Sequence, residues 1–283
     1  MIIENFLEAK QFLPAITIKS DITSIDDMLN TAESELVEDI IGENLEIKLS
    51  SKDEEDKGLL KMCQRIIAIN GFLNAVPEMD LVLTQSGFAV HSTEGLAPAS
   101  TARVNALIKS LITRSETATD QLIKYLMRSE KYKDLWRNTI QFEKISSGLI
   151  STYSEFKEYA QYSPTTADQY PKGYSEFKRM YTNLNLALMG EVSTYLSREY
   201  CEELIEKYRD SEIITLDEKH VLRLVRFAIC AISMGDLISG RMHIIRAREY
   251  MKRFPISFPT FTASPESQTI DNSDNSGPIF SML

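Results

Sequence analysis

Apolar residues recur at steps of three and four along most of this chain, and that spacing constrains the fold more than any other feature. In IDDMLNTAESELVEDIIG, residues Ile25, Met28, Leu29, Ala32, Leu36, Val37, Ile40 and Ile41 form one stripe of an amphipathic helix. Asp26 and Asp27 suit its positive end, and Gly42 is a natural stop. After the charged stretch SSKDEEDKG comes LLKMCQRIIAINGFL, apolar on most sides and so a central helix. The segments LDEKHVLRLVRFAICAISMGDLI and RMHIIRAREYMKRF continue the pattern near the other end. Met62, Ile66, Ile67, Ile69, Leu224, Phe227 and Ile229 are the expected core. The expected class is mainly α: a multi-helix domain with a candidate duplicated helical hairpin, one small β-hairpin and an extended C-terminal tail.

The periodicity breaks in three places. Pro77 ends the central helix, and DLVLT and FAVH, separated by Gln85-Ser86-Gly87, predict a β-hairpin over residues 80–91. Pro98 then opens a long helix, with an interruption expected between Ser115 and Thr119. Residues 131–173 are mixed and hold the only tryptophan, Trp136, in a short helix. Beyond Phe254 the composition changes to four prolines, no Lys or Arg, and many small polar residues. The layout expected is an arm at 1–20, a helical domain at 21–254 and a polar tail at 255–283. That tail ends in Ile279, Phe280, Met282 and Leu283, apolar residues suited to docking.

Two internal similarities stand out. YSEFK occurs at Tyr153 and again at Tyr174, and its serine, glutamate and phenylalanine fit a helix start with Ser as cap. A weaker similarity pairs LVEDIIG (36–42) with YCEELIE (200–206), and LKMCQRIIA (60–68) with LRLVRFAIC (222–230). The offsets, 164 and 162, differ by two residues and suggest repeats at 25–76 and 193–238.

The net charge of -10 argues against a free-standing nucleic-acid binder. It is unevenly spread: residues 1–60 hold 15 acids and 5 bases, and residues 219–253 hold 8 Lys or Arg against Asp236 and Glu249. Arg241, Arg246, Arg248, Lys252 and Arg253 crowd one helix. They are candidates for contact with DNA phosphates, with the acidic side of a neighbouring copy, or with solvent alone. Cys63, Cys201 and Cys230 form no CxxC and are expected reduced and buried. No apolar run approaches the ~20 residues that span a bilayer, so a soluble, cytoplasmically made protein is expected. His91, His220 and His243 lie at no metal spacing, and no phosphate loop, dinucleotide fingerprint or nucleophile elbow occurs. The expectation is no enzyme, no cofactor and no metal. The competing reading is a soluble helical enzyme or regulatory protein whose site the sequence does not display.

The succession AESELVEDIIG, charged loop, LLKMCQRIIAINGFL, then VPEMDLVLTQSGFAV resembles a family encoded in the virion gene clusters of Bacteroidetes phages and prophages. More distantly it resembles the head–tail connector adaptors of tailed phages. The resemblance covers residues 25–140. It implies a structural, non-catalytic subunit at the head–tail junction of the virion, forming a homo-oligomeric ring beside the portal and touching tail or other connector proteins.

Overall fold

A computed structural model describes residues 1–13, 25–78, 81–84, 87–90, 100–160, 167–213 and 215–268. The described chain is a multi-helix, mainly α protein. Its helices are α1 (Phe6–Ala9), α2 (Asp26–Leu36), α3 (Glu43–Ser50), α4 (Lys57–Ala75), α5 (Thr101–Arg128), α6 (Lys133–Arg137), α7 (Ile140–Ser146) and α8 (Tyr153–Tyr159). They continue with α9 (Tyr174–Leu186), α10 (Ser193–Leu196), α11 (Arg198–Arg209), α12 (Leu216–Ser233), α13 (Leu237–Arg253) and α14 (Pro259–Ala263). Between α4 and α5, β1 (Leu81–Thr84) and β2 (Gly87–Val90) pair antiparallel, Leu81 opposite Val90 and Thr84 opposite Gly87. This is where the sequence places a hairpin.

One arrangement of helices occurs twice. In the first unit α2 runs into a π-type turn at Val37–Ile41, and the chain kinks at Gly42 (φ 75°, ψ 162°) into α3. A left-handed residue, Lys52 (φ 55°), then leads to the apolar α4, on which α5 packs. In the second unit α9 runs into a π-type turn at Ala187–Val192, and after α10 the chain kinks at Ser197 (φ 68°, ψ 152°) into α11. Ser211 (φ 58°) then leads to the apolar α12, on which α13 packs. From Gly42 to Ser197 the offset is 155 residues, and from Lys52 to Ser211 it is 159, because α11 has twelve residues and α3 eight. The four extra residues make about one more helical turn.

The repeat therefore lies in a different register from the sequence pairing. Leu36–Gly42 ends the first helix of its unit, whereas residues 200–206 lie inside α11, the counterpart of α3. The second unit also begins at α9, well before residue 193. Acidic amphipathic helices resemble one another at several registers. The backbone kinks, which fix the true one, are carried by Gly in one unit and Ser in the other.

Close approach and capping hold each unit together. Gly71 lets α4 meet α2, since a Cβ there would lie 2.7 Å from Leu29 Cδ2. The fully buried Trp136 donates its indole N–H to the Ile40 carbonyl at 2.6 Å, and Gln141 donates to the Glu38 carbonyl at 3.1 Å. Both supply partners to carbonyls at a helix end that lack one within the helix. Ile66, Ile67, Ile69 and Ile229 are buried, while Met62, Leu224 and Phe227 are partly buried against the same core.

The expected break in the long helix does not occur, and α5 is continuous over 28 residues. Thr113 and Thr117 return their hydroxyls to the carbonyls four residues back, and Ser115 reaches Asn70 at 2.6 Å. The polar run is thus absorbed in the helix. Both YSEFK copies do start helices, at Tyr153 and Tyr174, but serine is not the cap. Thr152 caps α8 in a capping box with Glu155, and Glu176 accepts the Lys172 N–H. The two phenylalanines, Phe156 and Phe177, meet in the core with ring centroids 5.4 Å apart.

The tail boundary at 255 also needs correction. Residues 255–268 fold back on the second unit, burying Phe258 and Phe261 edge-on to Tyr200. Ser257 donates to Asp217, and Arg248 donates to the carbonyls of Glu266 and Gln268. The segment needs no core of its own because α11 and α13 supply one. Residues 269–283 lie outside the described residues.

Candidate assembly surfaces

The cationic cluster of α13 is divided by the fold. Arg241 Nε donates to Glu191 at 2.7 Å, and Arg248 holds the carbonyls of the returning segment. Lys252 is partly buried, on the same side of the helix as these two. That side serves the chain itself. Arg246 and Arg253 are exposed. The four apolar residues Ile279, Phe280, Met282 and Leu283 lie outside the described residues.

α13 also carries a feature that the arginines obscured in the sequence. Gly240, Ile244, Ala247 and Met251 are buried, while on another side of the helix Ile238 (78 % exposed), Met242 (51 %) and Ile245 (46 %) are not. The helix thus has a second apolar stripe open to solvent. A helical projection of residues 237–253 shows both stripes, separated by the arginines.

At the opposite end of the chain the exposed surface is acidic. Glu35, Glu38 and Glu43 are exposed on α2, its π-type turn and α3, and Ile47, one turn beyond Glu43, is 71 % exposed. A cleft of about 410 Å³ lies there, lined by Glu33, Glu38, Glu43 and Glu46 among others. Glu33 is already satisfied, accepting the N–H groups of Ile2 and Ile3.

A third surface is an arm. The first ten residues of α5 contain no fully buried side chain, Leu107 alone among them packs partly on the core, and full burial begins at Leu111. Ten helical residues span about 15 Å. β1 and β2 precede this stretch in the chain.

The interior shows little chemistry. Among the described residues no cluster of His, Cys, Asp and Glu is arranged to hold a metal ion. The three cysteines are free and buried, and burial pushes the Cys63 and Cys201 thiols up to about 12. His243 stacks on Phe227, with its pKa lowered by burial and by Arg246, and His220 packs against Tyr250. His91 lies outside the described residues. One cleft of about 420 Å³ lies between the first unit and the start of α9, and in its lining Asp39 pairs with Lys178 at 2.6 Å and Ser115 donates to Asn70. No described helix is long and apolar enough to cross a membrane.

Residues 24–145 match a family of unknown function (DUF6712). The match covers the first unit, the arm and the chain as far as α7, less than half of the sequence. No curated protein and no solved structure matches the chain.

Proposed function

We propose that this chain is a structural virion protein, a head–tail connector or adaptor subunit that assembles as a ring next to the portal. The observation that carries this reading is the arm. A two-stranded hairpin is marginal in water on its own, and here it precedes a helix start with no fully buried side chain along ten residues. Such a device gains stability when a neighbouring protein covers it. The sequence resemblance of residues 25–140 to virion-cluster proteins supplies the class of neighbour: portal, connector and tail proteins, and further copies of the chain.

The test is incorporation. Tagged chain is produced in cells that make the particle, beside a variant in which residues 79–99 are replaced by a short Gly-Ser linker. Purified particles are analysed by mass spectrometry and electron microscopy. Wild-type chain is expected at the head–tail junction in fixed copy number, with the variant folded but absent. Wild-type chain missing from particles, or the variant incorporated equally, would overturn the proposal.

A further inference from the structure

The geometry points to the solvent-facing stripe of α13 as a contact face for the acidic α2–α3 surface of a second copy of this chain. This rests on the assembly role proposed above and names the surfaces that would carry it. The stripe runs from Ile238 to Ile245, about 10 Å of helix. Ile238, Met242 and Ile245 share one side, an apolar strip of the sort that marks an interaction site, which ends at the exposed Glu249 one turn further along. Arg246 and Arg253 rim it on one edge.

Charge selects the occupant. The α2–α3 surface offers exposed Glu38 and Glu43, which line one cleft, and exposed Ile47 one turn beyond Glu43 on α3, so an apolar residue with anionic neighbours meets an apolar strip edged by Arg246 and Arg253. Both faces belong to one molecule, on different units, and both are open to solvent, so the contact is not made within the chain. A contact between two different patches of identical subunits is heterologous and closes into a ring when the rotation between copies closes. Rim charges of this kind set partner choice and association rate, while the apolar centre supplies the affinity.

The experiment uses the full chain in analytical ultracentrifugation over a concentration series, with circular dichroism to check folding. Three variants are compared with wild type: I238D/I245D, E38R/E43R, and E38R/E43R/R246E/R253E. All the replaced side chains are exposed, so the helical signal and melting temperature are expected to stay within error. Wild type is expected to self-associate. I238D/I245D and E38R/E43R are each expected to weaken association at least about tenfold, and the fourfold charge swap to recover most of the loss. A wild-type chain that stays monomeric throughout, an I238D/I245D variant that associates like wild type, or a swap that fails to recover would overturn the inference. The two proposals fail separately. If I238D/I245D still associates while wild type enters particles, the face is wrong and the assembly role stands. If association tracks the variants as expected while wild type is absent from particles, the face stands and the virion role is wrong.

Discussion

Asp56 offers the sharpest test of how the first unit is tied to α6 and the residues around it. Its carboxylate is 2 % exposed and lies at the start of α4, where it accepts the Tyr132 hydroxyl at 2.8 Å and pairs with Lys131 at 2.7 Å and Lys48 at 3.3 Å. Burial alone would raise its pKa, but Lys131, Tyr132 and Lys48 outweigh burial and hold it at about 2, against 3.8 for an unperturbed group. A folded-state pKa below the unfolded one adds stability above the unfolded value, and that stability is lost as pH falls through the folded value. At 1.36 kcal/mol per unit the shift amounts to about 2.4 kcal/mol at pH 7. The two lysines are 35 % and 41 % exposed, so solvent screening trims this to about 1–2 kcal/mol. Asp56→Asn keeps an acceptor for Tyr132 and removes the charge, and should cost that amount at pH 7. Between pH 7 and pH 3 the difference from wild type should shrink to about half. Asp56→Ala also strands the buried Tyr132 hydroxyl and should cost about 1–3 kcal/mol more. Urea titrations monitored by circular dichroism, stepped from pH 7 to pH 3, give the three curves. An Asp56→Asn penalty that is absent, or that does not change with pH, would refute the electrostatic account.

Other outcomes rest on burial and backbone conformation. Ile67→Ala and Ile229→Ala, both fully buried, should each lower unfolding free energy by about 2–5 kcal/mol, and unchanged urea midpoints would contradict their placement. Truncation after residue 268 should leave the melting temperature intact, whereas Phe261→Ala should cost about 3–5 kcal/mol because its ring fills the space beside Tyr200. Ser197 occupies a positive-φ extended conformation that favours glycine. Ser197→Gly should therefore stabilise by about 1 kcal/mol, and Gly42→Ala destabilise by about 1–3 kcal/mol, in thermal melts.

Helix positions and the core were legible because burial imposes the period of 3.6 on the sequence, as the stripe from Ile25 to Ile41 shows. The hairpin was legible from Pro77 and the β-prone runs around Gly87. The repeat was legible only as a suspicion. Its true register is set by two backbone kinks, and a serine with φ 68° leaves no mark that distinguishes it from any other capping serine. The fold of residues 255–268 was hidden because prolines and small polar residues read as a tail, and only the tertiary partner Tyr200 gives Phe258 and Phe261 a place to go. Asp56 sits in the charged stretch SSKDEEDKG, and nothing nearby in sequence announces Lys131 and Tyr132. On α13 the arginines drew attention to charge, while the solvent-facing stripe beside them needed the buried stripe to be identified first.

The two helical units are joined covalently through residues 129–173. Across that join, Arg226 donates to the Leu149 carbonyl, Arg209 to Glu143 and Ser146, and Lys178 to Asp39. A tether holds its ends at an effective concentration on the order of millimolar, so these contacts need little intrinsic affinity to form. Fusing the units fixes their stoichiometry at one to one in any larger object, and leaves each free to diverge, one toward an arm and the other toward an open apolar stripe.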